Sequence, residues 1–322
     1  MKKVLVTSDL PGNYLTWLTD RCEVTVYTGP DDVIPRDELL LRIADCDGLL
    51  SLVTNTIDKA VVDAAPKLRV VSNYAVGYNN IDVEYCTLKG VRVCNTPGVL
   101  TETTADCAFA LLLSTARKIV AADKYVRSGA FQGWKPDLFM GYDVFGKTIG
   151  IVGMGRIGRA VARRAVGFNM NVIYVDSFNN DDITGAKRVD FKELLKRSDF
   201  ISLHVPYTED THHLIDAEAM QLMKPSAILI NTARGPVVDE AALALCLKNG
   251  TIAGAGLDVF EHEPQVHSGL LNQSKAVLLP HIGSSSVATR HKMAEMAVNN
   301  LWNVLNGEEP WHAVNELRED IR

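Results

Sequence analysis

The sequence lacks the patterns of metal-binding, secreted and membrane-spanning proteins. Its six cysteines are scattered without a Cys-x-x-Cys pair, and it contains no His-Glu-x-x-His segment. We therefore expect free thiols, a cytoplasmic location and no metal site. No run of about eighteen apolar residues occurs, so we expect no membrane-spanning helix. The first residues reach Asp9, Pro11 and Gly12 after a short apolar run, which predicts a strand and a turn rather than a secretory signal.

An excess of positive charge is also missing. The 322 residues include 33 Lys and Arg against 39 Asp and Glu, giving a net charge of −6. Such a chain offers no general field for nucleic acid or an acidic membrane, and we expect neither partner. Hydrophobic residues make up 47% and charged residues 22% of the chain, as in soluble proteins of one large or two medium domains.

One stretch, from Lys147 to Asp176, organises the chain. An apolar, β-branched run precedes Gly153, Gly155 and Gly158 in G-x-G-x-x-G spacing, and a helical pattern and a second apolar run follow. The first glycine permits a tight turn, the second a close approach to a pyrophosphate, and the third close packing of helix on strand. The N–H groups at the helix N-terminus favour phosphate. This context predicts a dinucleotide-binding unit.

Asp176 bears on the choice of dinucleotide. It ends the second strand, about 20 residues past the glycines, where a carboxylate accepts from a ribose 2′-hydroxyl. A carboxylate repels a 2′-phosphate, and no Arg or Lys occurs at positions 177–180. The sequence therefore predicts that NAD is preferred, with NADP possible as an alternative.

Strand and helix patterns alternate along the whole chain, which predicts an α/β protein with parallel sheets covered on both faces. A complete α/β unit occupies residues 1–98, before the glycine motif. Thr101–Val120 and Ser286–Asn306 are each predicted to form one long helix.

Four polar residues follow apolar strands, at the edge where open parallel sheets bind ligands: Arg234, Asp258, Glu263 and His281. A guanidinium suits a substrate carboxylate, and histidine is the usual acid or base near neutral pH. Taken singly, each residue also fits an ordinary structural role. Arg234 could form a surface ion pair, Asp258 a turn or helix cap, Glu263 could be a solvated acid, and His281 could be a histidine whose hydrogen bonds are satisfied within the protein. The adjacent His212 and His213 fall in a polar turn, where we expect them to be solvated.

Taken as a set, these segments carry a resemblance. Four short segments, GMGRIG at 153–158, TARG at 232–235, EHEP at 261–264 and PHIG at 280–283, occur in this order. Together they resemble the D-isomer-specific 2-hydroxyacid dehydrogenases, and the resemblance covers nearly the whole chain. Residues 73–82 and 138–148 are similar to the glyoxylate and hydroxypyruvate reductases of that family.

The resemblance implies two Rossmann-like domains, each a doubly wound parallel sheet, with an active-site cleft between them. The substrate domain would be discontinuous, formed by residues 1–98 and 287–322, and residues 99–286 would form the dinucleotide-binding domain. The family is typically a homodimer through its cofactor domains, and Trp134 matches a residue that reaches into the partner's active site.

The resemblance also implies roles for individual residues. His281 would be the acid and base, Glu263 would hydrogen-bond it, and Arg234 would bind the substrate carboxylate. His281, Arg234, Leu52, Val53 and the N–H groups of Val76 and Gly77 would bind the substrate. The implied cofactor-binding positions are Thr104, Gly153, Gly155, Arg156, Ile157, Gly158, Asp176, Ser177, His204, Pro206, Thr211, Thr232, Ala233, Arg234, Asp258, His281 and Gly283.

The implied activity is NAD(P)H-dependent reduction of a small 2-oxo acid, glyoxylate or hydroxypyruvate. Alternatives within the family are dehydrogenases of 2-ketogluconate, phosphoglycerate or phosphite. Val76 carries no positive charge for a phosphate or phosphite, which counts against the last two. We expect no regulatory C-terminal domain, which also counts against the phosphoglycerate enzyme, whereas residues 126–134 resemble phosphite dehydrogenase and keep that alternative open. An NAD-sensing corepressor that binds peptides is an alternative of another class.

Replacement of Asp176 by alanine tests the cofactor prediction. The ratio of kcat/KM with NADPH to kcat/KM with NADH should rise about tenfold, because a charged hydrogen bond to the ribose is lost and a repulsion removed. An unchanged ratio would mean that the carboxylate does not face the ribose.

Overall fold

A computed structural model of the chain describes residues 1–30, 33–177 and 185–317. The chain divides into two compact units. Unit 1 comprises Met1–Leu100 with Ser285–Arg322, and unit 2 comprises Thr101–Ser284. Residues 318–322 of the predicted substrate domain lie outside the described residues.

Unit 1 is built on a parallel sheet of five strands in the order β2-β1-β3-β4-β5. The strands are β1 Lys3–Val6, β2 Glu23–Val26, β3 Gly48–Ser51, β4 Val70–Asn73 and β5 Arg92–Cys94, and the helices are α1 Tyr14–Thr19, α2 Arg36–Ile43, α3 Lys59–Ala64, α4 Val83–Leu88 and α12 Val287–Asn306. Every residue of β3, β4 and β5 is buried, as expected for a sheet covered on both faces.

Local hydrogen bonds determine where the helices of unit 1 begin and end. The Asp58, Asp82 and Ser286 side chains accept from backbone N–H groups in the first turns of α3, α4 and α12. The long helix α12 ends at Gly307, whose positive φ of 84° suits glycine.

Unit 2 is built on a parallel sheet of seven strands in the order β12-β11-β10-β9-β6-β7-β8. The strands are β6 Thr148–Val152, β7 Asn171–Val175, β8 Ala186–Arg188, β9 Phe200–Leu203, β10 Ile228–Asn231, β11 Gly254–Leu257 and β12 Ala276–Leu278. The helices are α5 Thr101–Ala116, α6 Ile119–Arg127, α7 Arg156–Gly167, α8 Phe191–Arg197, α9 Ala217–Leu222, α10 Glu240–Asn249 and α11 Ser268–Leu271, with single 3₁₀ turns at Glu209–Thr211 and Gly235–Val237.

The strand order of unit 2 reverses between β6 and β9, as in doubly wound dinucleotide-binding sheets. One buried apolar cluster includes Leu194, Leu229 and Leu243, and a second includes Leu111 and Ile149. The prediction of an α/β protein with two doubly wound parallel sheets is confirmed.

The single helix predicted for Thr101–Val120 is wrong, because the chain forms α5 and α6 with a break between them. At the break Lys118 adopts a left-handed conformation with φ 54°. The Ala116 carbonyl accepts from the backbone N–H of Tyr142 at 2.9 Å, a partner from a distant loop. The sequence pattern could not reveal this competing hydrogen bond.

Several short elements also escaped the sequence analysis. They are α1, α4, α8, α9, α11 and β8, each of three to seven residues, which is shorter than the window of about eleven residues over which hydrophobic periodicity is read. Among the described residues, no helix combines the length and the apolar character needed to cross a membrane.

Candidate active site

His281 and Glu263 form a hydrogen-bonded pair in unit 2. His281 follows β12 in a left-handed conformation, with φ 55°, and its N–H donates to the Asp258 carbonyl at 2.9 Å. Its Nδ1 lies 2.9 Å from Glu263 Oε2. The other oxygen of Glu263 accepts from the backbone N–H of Phe260 at 3.0 Å. The Glu263 carboxylate is therefore held on both sides, and its hydrogen bond to Nδ1 orients the imidazole of His281.

Burial by itself raises the pKa of the Glu263 carboxyl. The hydrogen bond and charge of His281, the Phe260 N–H group and the positive charge of Arg234 act in the opposite direction, and the net pKa lies below the ordinary value. Glu263 is thus ionised at neutral pH and can accept a hydrogen bond from His281 Nδ1.

Asp258, at the end of β11, supports the turn that carries His281. Its side chain is only 1% exposed, and its two oxygens accept from the N–H groups of Ile282 and Gly283, each at 2.7 Å. Burial raises the pKa of Asp258 despite these two bonds, which favour the charged form. These hydrogen bonds match the turn role that the sequence offers as the ordinary alternative for Asp258.

Arg234 follows β10, the strand beside β11. The Asn231 amide donates to the Arg234 carbonyl at 2.9 Å and fixes the turn. The guanidinium donates to the Ala233 carbonyl at 2.6 Å. Burial lowers the pKa of Arg234, and the charge of Glu263 opposes this effect. An arginine remains protonated in either case, so this cation can bind a carboxylate.

The glycine loop between β6 and α7 has the form that the sequence predicted. Gly153 has φ 93° and packs against the His204 backbone. A Cβ added to Gly153 would lie 2.7 Å from the carbonyl carbon of His204. A Cβ on Gly158 would lie 2.1 Å from the Gly153 oxygen. Beside Gly155 there is open space, and no side chain caps the first turn of α7. The loop therefore leaves room and N–H donors for an anion.

In the described part of the chain, the buried side-chain atoms without a hydrogen-bond partner are Thr96 Oγ1, Thr115 Oγ1, His204 Nδ1 and Thr232 Oγ1. His204 packs against Gly153 of the glycine loop, and Thr232 follows β10. Burial lowers the pKa of His204 to about 3, so its ring is neutral, and its Nε2 lies 2.8 Å from Ser202 Oγ. Unpaired buried polar atoms call for a partner. Together with the open space at Gly155, they fit a bound dinucleotide.

Asp176 lies at the edge of the glycine loop, with Oδ2 accepting from the Met154 N–H at 2.6 Å. Ser177 beside it is exposed. Arg188 at the end of β8 donates to the Asp176 carbonyl at 2.7 Å, a basic neighbour that the sequence analysis missed. Positions 178–180, where the sequence has no Arg or Lys, lie outside the described residues.

The other predicted cofactor positions lie on elements around the same edge of unit 2. Thr104 on α5 is buried and lies beside Gly283. Its Cγ2 is 3.5 Å from the point where a Cβ added to Gly283 would lie. Arg156 and Ile157 begin α7. The Thr211 hydroxyl donates to the Pro206 carbonyl at 2.8 Å and closes the loop after β9.

The predicted substrate-binding residues of unit 1 follow β3 and β4. Leu52 and Val53 are partly buried in the first loop. In the second, the Val76 carbonyl accepts from the Asn95 amide and the Gly77 carbonyl from the Asn73 amide, each at 2.8 Å.

These bonds fix the peptide planes of the second loop in unit 1. The N–H groups of Val76 and Gly77 donate to no acceptor within the described ranges. They are available to an anion.

The prediction that His213 is solvated is wrong. Its Nε2 lies 2.7 Å from Glu261 Oε1, and its ring stacks on that of His212 with centroids 4.0 Å apart. No sequence pattern indicated the buried Glu240, whose carboxylate accepts from two N–H groups of the loop that carries Glu263. Both pairings join residues far apart in the sequence. Among the described residues, no three His, Cys, Asp or Glu side chains group as a metal site.

Comparison with known proteins agrees with this geometry. Residues 109–283 match the profile of the D-isomer specific 2-hydroxyacid dehydrogenase, NAD binding domain. The chain belongs to this dehydrogenase family. A relative named glyoxylate reductase, from Korarchaeum cryptofilum, is 51% identical over 99% of this chain and 98% of its own length. The glyoxylate reductase of Pyrococcus horikoshii is 49% identical over 99% of this chain and 97% of its own.

Two solved structures share the fold of the chain. The TT0316 protein of Thermus thermophilus has a TM-score of 0.92 and 45% identity, covering 97% of this chain and all of its own. An NADPH-dependent glyoxylate/hydroxypyruvate reductase of Sinorhizobium meliloti, in complex with NADP and malonate, has a TM-score of 0.86 and 34% identity. That comparison covers 97% of this chain and 96% of the other.

The open space at Gly155 can be tested with Gly155→Ala. The added methyl group should occupy the approach to the pyrophosphate and raise the Kd for NADH at least about tenfold, the equivalent of one charged hydrogen bond. Fluorescence titration with NADH measures the Kd, and thermal unfolding measures stability. Gly167→Ala is the control, since that site in α7 is also open and lies away from the loop. An equal Kd in both variants would contradict the prediction.

Proposed function

We propose that this chain reduces small 2-oxo acids, converting glyoxylate to glycolate and hydroxypyruvate to D-glycerate. The observation that carries the proposal is the His281–Glu263 pair, with Nδ1 2.9 Å from Oε2, in the same unit as the cationic Arg234. The full-length similarity to relatives named glyoxylate reductase supports the choice of substrate.

The roles of the three side chains follow from their chemistry. A nicotinamide dinucleotide held at Gly155 and the first turn of α7 would supply the hydride. His281 is the general acid: its Nε2 gives a proton to the carbonyl oxygen, and it takes the proton back in the oxidative direction. Glu263 holds Nδ1–H and stabilises the charged imidazole. Arg234 binds the substrate carboxylate and polarises the carbonyl.

We assign further binding roles to the predicted positions. The N–H groups of Val76 and Gly77 donate to a substrate carboxylate, and Leu52 and Val53 provide apolar surface. Gly155, the first turn of α7 and Thr104 hold the diphosphate. The remaining positions take the riboses and the nicotinamide: Asp176, Ser177, His204, Pro206, Thr211, Thr232, Ala233, Asp258 and Gly283.

We propose that NADH is the preferred cofactor. The Asp176 carboxylate is the reason, because it disfavours a 2′-phosphate on the adenosine ribose. NADPH remains an alternative, since Arg188 lies beside Asp176 and a relative of known structure is NADPH-dependent.

We also propose that the chain forms a homodimer through unit 2. No residue of α6 is buried, and the segment from α6 through the following loop exposes several large apolar side chains. They are Ile119, Val120, Val126, Phe131, Trp134, Met140, Tyr142 and Phe145. A concentration of exposed large apolar side chains on one segment favours a protein interface, and Trp134, 83% exposed, is its most exposed aromatic residue.

Initial rates at 340 nm test the activity. NADH and NADPH are each combined with glyoxylate, hydroxypyruvate, pyruvate and 2-ketogluconate, and phosphite and 3-phosphoglycerate are tested with NAD⁺. Turnover of glyoxylate or hydroxypyruvate above all others is the expected result. If none is turned over while NADH still binds, the proposal fails.

His281→Asn should lower kcat by about a hundredfold or more, the usual contribution of a general acid. The Kd for NADH should stay within about twofold, because the dinucleotide makes its main contacts elsewhere. His212→Asn is the control, an exposed histidine of the same unit that does not contact Glu263. A kcat close to that of the unsubstituted protein would remove His281 from the acid role.

Trp134→Ala should weaken the dimer about tenfold or more, because large exposed aromatics often dominate an interface. Sedimentation equilibrium measures the association, and the KM for glyoxylate reports any contribution to the partner's site. Trp311→Ala is the matched control, a half-exposed tryptophan of unit 1. Unchanged association and KM would exclude this role for Trp134.

A further inference from the structure

The loop that carries Glu263 is held by a buried carboxylate outside the reacting groups. Glu240 is the first residue of α10 and is only 4% exposed. One of its oxygens accepts from the Glu261 N–H at 2.5 Å and the other from the His267 N–H at 3.2 Å. Glu240 thus holds both ends of the segment 261–267, which contains Glu263.

Further contacts hold the same segment in place. The Glu240 N–H donates back to Glu261 Oε2 at 3.4 Å, and His213 Nε2 lies 2.7 Å from Glu261 Oε1. Gly235 lies so close to the Phe260 carbonyl that a Cβ there would be 1.9 Å away. Phe260 in turn donates to Glu263. These contacts therefore determine the position of the Glu263 carboxylate.

We propose that Glu240 is a positioning residue, which places the Glu263 carboxylate against His281 Nδ1. The proposal rests on the proposed function, in which that hydrogen bond supports the general acid. Glu240 itself makes no contact with His281 and acts through the backbone of the loop. A displacement of about one ångström at Glu263 would break its 2.9 Å bond to the imidazole.

Several charged groups surround the imidazole in unit 2. Glu263 contacts it directly, Asp258 lies beneath its turn, and the charge of Arg234 acts on Glu263. Glu240, Glu261 and His213 lie one step further out, joined to His281 only through the loop. A change at Glu240 therefore reaches His281 mainly through the position of Glu263.

Glu240→Gln is the informative variant. An amide has nearly the size of the carboxylate but one acceptor oxygen for two N–H donors, so one end of the loop loses its partner. We expect kcat/KM for glyoxylate to fall about tenfold while the Kd for NADH stays within about twofold. Glu218→Gln is the matched control, because Glu218 is an exposed acid in the first turn of α9. Thermal unfolding verifies that both variants are folded.

A double-mutant cycle with Glu263→Gln separates positioning from general structural damage. If Glu240 acts through Glu263, its replacement in the Glu263→Gln background should lower kcat/KM by less than about twofold. If the two losses multiply, Glu240 affects the enzyme by another route and the proposal is overturned.

NMR tests the same coupling without turnover. The imidazole Nδ1–H signal of His281 is assigned by its loss in His281→Asn. In Glu240→Gln this signal should move upfield or disappear through exchange with water, because the displaced carboxylate no longer accepts from Nδ1, and it should be unchanged in Glu218→Gln. An unchanged signal in folded Glu240→Gln would overturn the proposal. Absence of glyoxylate turnover in the unsubstituted protein would instead overturn the proposed function.

Discussion

The buried carboxylate of Asp258 is the point on which the arrangement around His281 depends. Its two oxygens take the N–H groups of Ile282 and Gly283, and its own carbonyl takes that of His281. Three consecutive N–H groups of one turn are thereby satisfied by a single residue of the neighbouring strand. These three hydrogen bonds hold His281 in a left-handed conformation that is uncommon for a residue other than glycine.

The parallel sheet of unit 2 brings the polar residues to one edge. Strands β10, β11 and β12 are neighbours, and the loops that leave them carry Arg234, Glu263 and His281 in that order. Because parallel strands end at the same edge, residues distant in the sequence become neighbours without a special connection. The order of the polar segments along the chain reflects the order of the strands in the sheet.

A second set of contacts determines how firmly these neighbours are held. Glu240 and the His213–Glu261 pair lie behind the loop of Glu263 and satisfy its backbone and side-chain groups. In unit 1, the Asn73 and Asn95 amides donate to carbonyl groups of the loop after β4. They leave the N–H groups of Val76 and Gly77 in that loop available. In both units, buried polar side chains fix loops whose own sequences could adopt other shapes.

The sequence by itself determined the alternation of strands and helices, the glycine loop and the strand-end positions of the polar residues. These features are local, since apolar runs, glycine spacing and strand ends are read within a few residues. Only the tertiary structure decided that the helix after Thr101 breaks at Lys118, that Asp258 holds the His281 turn and that Glu240 holds the Glu263 loop. Each of these depends on a hydrogen bond between residues about 20 or more apart, which no local pattern encodes.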